Sequence, residues 1–443
     1  MKAEKGQRMS DQIERSLGLW RCWALVVGCV IGSAIFMMPA VLAPYGSLGL
    51  LSWAAAGIGA ILVAVMLGDL ARRLPSVGGP YAYARAGFGD FAGFLVAWGY
   101  WISLWAASAA IAIGFVAYFG VFFPAVTQSP VLSVSVGLVV IWSLVGVNYL
   151  GVRETGIMAL VTTLLKLLPL IAIGLVGLLV VEVQDLPPMN PTGRSGLSVF
   201  AMASALGFFT FLGLEAASVP ADHVVAPKRT IPRALLLGTL TVAAVYLISG
   251  YAVMGLVPPD EMARSTAPFA DAAVRLVGDW GGFVVAGGAL VATYGSLNGA
   301  ILLNSQTAMA AALDGLFPAP FKRLSSRQTP GFSLLATGIL ASLLLVTNYT
   351  KGLIGAYTFI ILIATITTVV PYAFAAMAGL ALGTTGGQAG QQTMRERLVA
   401  GLAFIVCLWV IAGAGAETVY WGFLLLLAGL PVYVLVTRGR DQS

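Results

Sequence analysis

Residues 28–36 of the chain read GCVIGSAIF, and residues 210–218 read TFLGLEAAS. Each stretch places glycine and small polar residues in the middle of a hydrophobic segment. In lipid every backbone N–H and C=O group needs a hydrogen-bond partner, so a helix is interrupted only where its backbone lines a cavity. A pair of interruptions at corresponding positions of two halves is typical of the substrate site of a transporter built from inverted repeats.

The composition indicates a membrane protein. The chain has 443 residues, of which 59% are hydrophobic and 9% charged, and its mean hydropathy is +0.93. Soluble domains carry roughly 25% charged residues, so this chain is too apolar to be one. Because a spanning helix needs about 20 apolar residues, we expect an all-α polytopic membrane protein with about 12 transmembrane helices.

Twelve apolar segments carry this prediction, separated by proline, glycine and charged residues. They lie near Trp20–Ala43, Leu50–Leu70, Phe91–Phe123, Val131–Leu150, Gly156–Val181, Gly196–Pro220, Ala234–Val257, Trp280–Leu313, Phe332–Val346, Leu353–Leu382, Leu398–Ala414 and Val419–Thr437. The first is too long for the apolar core of a signal peptide, so we expect it to remain as a span.

The interruptions fall in the first and sixth segments. Two five-helix halves related by inversion would account for that spacing. We therefore expect a cytoplasmic N-terminal tail, a first inverted repeat (helices 1 to 5), a second inverted repeat (helices 6 to 10), two added helices (11 and 12) and a cytoplasmic C-terminal tail. Their bounds are 1–19, 20–183, 196–382, 398–437 and 438–443.

The net charge of +6 follows the pattern of a membrane protein rather than of a nucleic-acid-binding one. Nineteen of the 24 Lys and Arg residues fall on one side of the predicted spans and four on the other, with Lys166 inside a span. Cytoplasmic loops carry such an excess, so both termini are expected in the cytoplasm. The predicted location is the cytoplasmic (inner) membrane, in contact with the lipid bilayer, with no nucleic-acid partner.

Two ionisable side chains lie deep inside the predicted spans. Glu215 in span six is the only deep carboxylate, and Lys166 in span five is the only deep cation. Such residues are costly in a bilayer and are functional-site candidates by default. For Glu215 the sequence leaves open a counter-ion to a substrate amine, a proton carrier or a structural partner. For Lys166 it leaves open a cation in place of sodium, a proton exchanger or a side chain that snorkels to the interface.

The first interruption suits an anion. The N–H groups at the start of a half-helix and the helix dipole favour negative charge, so we expect a substrate carboxylate at Ser33 and Ala34. Close packing of small residues is the alternative explanation. Tyr100, Trp101 and Phe209 are candidate aromatic walls of the same site, although core packing is the commoner role of such residues.

Two further groups of residues have simpler explanations. A polar stripe in span eight is expected to face the bundle interior: Tyr294, Ser296, Asn298 and Asn304. The three cysteines are widely spaced and lie in or beside apolar runs, so they are expected to be small packing residues: Cys22, Cys29 and Cys407.

Other function classes find little support in the residues. A membrane enzyme would need a cluster of His, Cys or carboxylate groups at one depth, and a channel a pore-lining ring or filter. The sequence shows neither pattern, and it has no phosphate-binding loop for ATP. We therefore expect no enzyme activity, no cofactor and no metal.

Further motifs extend along nearly the whole chain. They read GSAIFMMP at 32–39, GGPYAYAR at 78–85, FG at 88–89, GLEAASV at 213–219, PKRTIP at 227–232 and DGLFP at 314–318. Together they resemble the amino acid–polyamine–organocation (APC) superfamily, and within it the bacterial basic amino acid/polyamine antiporters, such as the arginine/agmatine antiporters. The resemblance implies a LeuT-like 5+5 inverted repeat with helices 1 and 6 broken, often assembled as a homodimer.

The resemblance also implies roles for individual residues. Ser33 and the Ala34 N–H would hold the substrate carboxylate, and the carbonyls of Val30, Phe209 and Leu212 would hold its amine. Other positions would contact substrate: Tyr100, Ser108, Ile111, Leu212 and Ala300. Proton or charge coupling would fall to Glu215 and Lys166. Glu215 matches an intramembrane glutamate that is linked to proton sensitivity, and Lys166 resembles a lysine that fills a sodium site.

Four positions depart from the arginine antiporters. Phe209 and Ala300 stand where those proteins have tryptophans, Ser108 replaces an asparagine and Ala34 replaces a glycine. The resemblance therefore does not carry arginine selectivity over to this chain.

The sequence thus predicts a sodium-independent amino acid transporter that works by alternating access. The favoured function is antiport of a cationic amino acid against an amine or another amino acid. The alternative is a proton-coupled transporter of neutral amino acids that uses Lys166. In either case the partner is a small amino acid or polyamine, bound between spans one, three, six, eight and ten.

Overall fold

A computed structural model gives the fold. It describes residues 17–74, 78–151, 156–219, 221–348, 351–382 and 392–440. Within these ranges the chain forms α-helices, short 3-10 turns and loops, and the only β contact is an isolated bridge between Leu17 and Val224. Most of both predicted tails, residues 1–16 and 441–443, lies outside the described residues. The expectation of an all-α chain is confirmed for the part that is described.

Sixteen helices of nine or more residues make up the described fold. In chain order they are α1 Leu19–Val30, α2 Ser33–Leu42, α3 Gly46–Arg73, α4 Pro80–Phe88, α5 Asp90–Phe122, α6 Pro130–Tyr149, α7 Gly156–Val180, α8 Gly196–Phe209, α9 Pro227–Leu256, α10 Pro268–Val277, α11 Asp279–Leu313, α12 Gly331–Asn348, α13 Gly352–Leu382, α14 Met394–Gly413, α15 Ala416–Leu427 and α16 Gly429–Arg440.

The helices have the length and apolarity of membrane spans. Among the described residues, eight stretches are long and apolar enough to cross a bilayer: Ser33–Arg73, Asp90–Phe122, Pro130–Tyr149, Pro227–Leu256, Asp279–Leu313, Gly352–Leu382, Met394–Gly413 and Ala416–Arg438. Four further apolar helices are shorter: Leu19–Val30, Lys166–Val180, Gly196–Phe209 and Gly331–Thr347. All twelve predicted apolar segments therefore contain helix, and the chain is a polytopic membrane protein.

Both predicted interruptions are present. The first apolar segment divides into α1 and α2, and the sixth leaves the α-helical conformation after Phe209. The second interruption differs from the expectation of two α-helical halves, because two 3-10 turns, Ala216–Ser218 and Ala221–His223, follow it in the described residues before α9. The twelfth segment also divides, into α15 and α16, where Pro431 has no N–H to bond to the carbonyl four residues earlier.

Two helices, α4 and α10, lie between the predicted apolar segments and outside all twelve of them. The stretch Pro258–Asp279 contains α10, whose buried face includes Phe269 and Ala273 and packs against α11. Pro268 starts α10 with a preset backbone angle, and Gly278 follows its end at φ +85°. A short amphipathic helix of this kind is too short to register as a membrane span, so hydropathy alone does not reveal it.

The long helices pack as two groups, with the half-helix α2 between them. One group is α1, α3, α7, α8 and α9, and the other is α5, α6, α11, α12 and α13. The half-helix α2 contacts α8 and α9 from the first group and α5, α11 and α13 from the second. All ten of its side chains are buried. The first interruption therefore lies at the junction of the two groups.

One end of the bundle, here called the basic end, is closed by polar contacts. Arg85 on α4 is 2.7 Å from Asp90 and 3.8 Å from Asp314, and the Tyr81 hydroxyl donates to Asp314 over 3.0 Å. Burial raises the pKa of Tyr81, so its hydroxyl remains protonated as a donor. Further ion pairs join α3 to the start of α14: Arg72 and Arg73 with Glu396.

The opposite end of the bundle is closed by aromatic side chains. The Tyr118 hydroxyl on α5 donates to the carbonyl of Phe36 on α2 over 3.0 Å and accepts from the Phe269 N–H on α10 over 3.2 Å. The rings of Phe36 and Phe269 lie 5.6 Å apart, edge to face. These contacts place α10 over the end of the bundle beyond α2.

Candidate functional site

The first interruption, break one, consists of Ile31 and Gly32 between α1 and α2. The Val30 carbonyl accepts from the Tyr246 hydroxyl over 2.9 Å, and the Ile31 carbonyl accepts from the Ser296 hydroxyl over 3.0 Å. A Cβ on Gly32 would lie only 3.3 Å from the Ser296 Cβ, so glycine allows α11 this close. Side chains of α9 and α11 thus replace the hydrogen bonds that a continuous helix would make.

The N-terminus of α2 presents free donors at break one. Gly32 precedes it and has no side chain to cap the first turn, so the first N–H groups point out of the helix without intrahelical partners. Ser33 is 1% exposed, and its hydroxyl has no hydrogen-bond partner among the described residues. Ala34 lies within α2 and has helical backbone, so its methyl group is compatible with the interruption at Ile31 and Gly32.

The second interruption, break two, lies directly against break one. Gly213 has φ +95°, a left-handed conformation that favours glycine. A Cβ there would be 3.4 Å from the Cys29 Cβ. Thr210 is held by Trp53, whose indole N–H donates to its hydroxyl over 2.9 Å. The two interrupted segments therefore meet in the centre of the fold, as a shared substrate site requires.

Glu215 lies fully buried at the end of break two. The Tyr372 hydroxyl on α13 donates to its Oε2 atom. Its Oε1 atom finds no hydrogen-bond donor in the part of the chain that the structure describes. The Tyr100 hydroxyl on α5 faces the same carboxyl without the geometry of a hydrogen bond. A buried carboxylate with one unoccupied oxygen can receive a cation or a proton.

Lys166 points into break one. It is 6% exposed, and its Nζ atom lies 2.8 Å from the Ser296 Oγ and 3.5 Å from the Gly28 carbonyl oxygen. Ser296 in turn donates to the Ile31 carbonyl. The ammonium therefore sits at the C-terminal end of α1, where the helix dipole is negative. This position does not fit a side chain that snorkels to the membrane interface.

The other predicted contact residues lie around the breaks but are not all aimed at them. Val30 and Phe209 are buried, while Ile111, Leu212 and Ala300 are half-buried. The Ser108 hydroxyl donates to Leu104 within its own helix. Phe209 packs edge-on against Tyr357, with ring centroids 6.2 Å apart. Ala300 leaves the α11 side of the site without an aromatic wall.

Two sequence expectations are wrong, at Cys29 and in the polar stripe of α11, and at Trp101 the structure favours the core-packing alternative. Trp101 packs with Phe317 and Phe321 near the basic end, at 5.9 and 5.7 Å, and is not a wall of the site. Cys29 is exposed, unlike the other two cysteines, so it is not a buried packing residue. The polar stripe of α11 divides because its positions lie on two helix faces. Ser296 and Asn304 point inward, whereas Tyr294 and Asn298 contact Ser143 and Asn148 on α6.

Tyrosines supply the part of the site that the sequence did not predict. Tyr246, Tyr357 and Tyr372 are all fully buried and come from α9 and α13. Tyr246 and Tyr372 bond to the breaks through their hydroxyl groups, and the Tyr357 hydroxyl faces Ser33. Each tyrosine lies more than a hundred residues along the chain from the break it faces. In the sequence each of them is simply a tyrosine in an apolar segment, and tyrosines are common in membrane helices. Metal-ligating clusters of three or more His, Cys, Asp or Glu residues do not occur within the described ranges.

A profile of the amino acid permease family matches residues 17–435. The chain belongs to the amino acid permease family. This places it in the APC superfamily, as its motifs suggested. The permeases of this family are transport proteins, so the expectation that the chain is not an enzyme is confirmed.

Curated relatives of this permease carry amino acids and polyamines. An arginine/ornithine antiporter of Pseudomonas aeruginosa is 30% identical over 98% of the chain and 93% of its own length. The putrescine transporter PotE of Escherichia coli is 26% identical over 97% of the chain and 98% of its own length. A cadaverine/lysine antiporter of Escherichia coli is 31% identical over 75% of each protein. The permease therefore resembles exchangers of basic amino acids and amines.

Proposed function

We propose that this permease is a sodium-independent antiporter of the inner membrane that exchanges a cationic amino acid for an amine or another amino acid. The observation that carries the proposal is the meeting of the two breaks. One offers N–H and hydroxyl donors at Ser33, and the other ends on the buried carboxylate Glu215. An α-amino acid with a basic side chain carries the complementary groups, and the named relatives exchange such molecules.

The substrate would lie with its carboxylate at the start of α2, against Ser33 and the Ala34 N–H. Its amine would approach the carbonyls of Val30, Phe209 and Leu212. Its side chain would extend past Ile111, Ser108 and Ala300 towards Tyr100 and Glu215. The absence of an aromatic side chain at Ala300 leaves room for a longer or bulkier side chain than stacking would permit. These assignments are supported by the burial and placement of the residues around both breaks.

Sodium independence is supported by Lys166. Its ammonium contacts Ser296 Oγ and the Gly28 carbonyl, oxygen ligands of the type that bind a hard cation. A covalently tethered cation in this place would make a bound ion unnecessary. The same contacts favour the second candidate function, proton-coupled transport of neutral amino acids, in which Lys166 would release and take up the proton.

Alternating access would use the contacts at the two ends. The Arg85, Asp90 and Asp314 cluster closes the basic end, and the Tyr118–Phe36–Phe269 contact closes the other. We propose that the basic end faces the cytoplasm because cytoplasmic loops are rich in Lys and Arg. We also retain as proposals a homodimer and the division of the chain into tails, repeats and added helices: 1–19, 20–183, 196–382, 398–437 and 438–443.

Exchange by purified protein in liposomes tests the proposed function. Vesicles loaded with unlabelled ornithine, lysine, arginine or their decarboxylated amines are expected to take up labelled arginine or ornithine in sodium-free buffer, while empty vesicles do not. A pH gradient alone should not drive uptake of neutral amino acids. Uptake of alanine or leucine driven by protons, with no response to internal arginine, ornithine or amines, would favour the second candidate instead.

A further inference from the structure

Two buried tyrosines, Tyr246 and Tyr357, bring their hydroxyl groups to the region of break one, and a third, Tyr118, bonds farther along α2. Tyr118 on α5 bonds to Phe36 and Phe269, and Tyr246 on α9 donates to the Val30 carbonyl. Tyr357 on α13 is equally buried, at 0% exposure, but its hydroxyl has no hydrogen-bond partner in any described segment. A buried polar group without a partner requires an explanation. A ligand group is the simplest one in a transport site.

The Tyr357 side chain is fixed in place. Its ring packs edge-on against Phe209, the last residue of α8 before break two. Its hydroxyl faces that of Ser33, without the geometry of a hydrogen bond between them. Ser33 is itself pressed against α5, where a Cβ on Gly114 would lie 2.4 Å from the Ser33 Cβ. Two buried hydroxyls from α2 and α13 therefore face one point at the start of α2.

The chemistry at this point favours an anion. The uncapped first turn of α2 supplies backbone N–H donors and the positive end of the helix dipole. Both hydroxyl groups can donate as well. A substrate ammonium placed here would meet the unfavourable end of the dipole. A carboxylate has two oxygens and can accept from several of these donors at once.

We infer that Tyr357 and Ser33 form a carboxylate clamp with the start of α2, and that this clamp makes the site prefer an α-amino acid to its decarboxylated amine. This inference rests on the proposed function, because it takes the two breaks as the substrate site. It makes the amino acid the tightly bound member of each exchange pair and the amine the weakly bound one. Tyr357 becomes a specificity-determining residue that joins α13 to the broken helix α2 through the substrate.

Selectivity follows from the buried hydroxyls. A decarboxylated amine would occupy the site with the Ser33 and Tyr357 hydroxyls still unpaired. Sites built to hydrogen-bond one group reject an analogue that lacks it strongly, because buried polar groups are then left without partners. We expect an α-amino acid to bind at least ~10-fold more tightly than its decarboxylated amine.

The test compares matched ligand pairs that differ only in the carboxylate. Equilibrium binding to the purified full-length protein in nanodiscs is measured for ornithine and putrescine, lysine and cadaverine, and leucine and isopentylamine. The variant Tyr357→Phe removes one hydroxyl and keeps the ring against Phe209. Tyr246→Phe is the matched control, because its hydroxyl is equally buried at break one but donates to the Val30 carbonyl.

Tyr357→Phe is expected to weaken the binding of each amino acid by about 10-fold and to leave the binding of each amine unchanged. The ratio of the two affinities within a pair therefore becomes smaller. Tyr246→Phe should change the binding affinities of both members of a pair by the same factor. An unchanged preference in Tyr357→Phe, or equal binding of amino acid and amine by the natural protein, overturns the clamp. Binding of the leucine pair alone would contradict the proposed cationic substrate while still testing the clamp. Binding of no pair contradicts both.

Discussion

Lys166→Ala is expected to reduce exchange in liposomes by about two orders of magnitude. The substitution removes the ammonium from Ser296 Oγ and the Gly28 carbonyl at the end of α1. Each hydrogen bond from a charged group contributes about 1.5–3 kcal/mol, and the buried oxygens left behind would need new partners. Break one would lose the cation that holds its α1 side to α11. The initial rate of labelled arginine uptake, normalised to protein content, measures the effect.

Two controls separate this role from a general loss of lysine. Lys351 is half-exposed. Its Nζ atom lies over the Phe359 ring and is 3.8 Å from a Glu417 carboxylate oxygen, and neither of these contacts involves a break. Lys351→Ala should therefore keep nearly full exchange. Lys166→Arg retains the charge and should keep part of the exchange with an unchanged pH profile. Unaltered transport by Lys166→Ala at every pH would refute the role given to Lys166, and a flattened pH profile in Lys166→Arg would favour proton transport by this residue.

Glu215→Gln is expected to weaken binding of cationic amino acids by about 10- to 100-fold and of neutral ones by less than about 3-fold. A carboxylate and a cation several ångströms apart attract by roughly 2–3 kcal/mol at an effective dielectric constant near 20, and glutamine lacks that charge. The amide oxygen can still accept from Tyr372, so the fold around break two is retained. Isothermal binding of arginine, ornithine and leucine to the purified variant provides the comparison.

Glu417→Gln is the matched control for Glu215. Glu417 is mostly exposed, with a side chain 70% accessible, and its partner Lys351 lies 3.8 Å away. Removal of this charge should leave the binding of both cationic and neutral amino acids unchanged. Equal losses for cationic and neutral ligands in Glu215→Gln would instead assign Glu215 a structural or proton-carrying role and remove the basis for a cationic substrate.

The sequence revealed the breaks and the charged residues because both violate the rules of an apolar helix. Glycine and serine in the middle of an apolar segment predict an interruption, and the cost of Glu215 and Lys166 in a membrane marks them as functional. The structure adds their contacts. Lys166 and Ser296 meet at break one although 130 positions separate them.

Other features depend on pairings that one sequence does not encode locally. Tyr357 and Tyr372 come from the same apolar helix, yet one faces Ser33 and the other bonds to Glu215. Trp101 and Tyr100 are neighbours in sequence, but their positions on the helix direct one to the Phe317 cluster and the other to Glu215. Residues adjacent in a helix point about 100° apart, so a motif of adjacent aromatics does not show which of them lines the site.

The most direct test of the central claim is a structure of the purified permease with a bound amino acid from its exchange panel. We predict ligand density between the two breaks, with the carboxylate at Ser33 and the start of α2 and with the side chain directed towards Glu215. Density elsewhere, such as the peripheral cavity lined by Trp142, Tyr149 and Arg323, with the space between the breaks closed to ligand, would contradict the account.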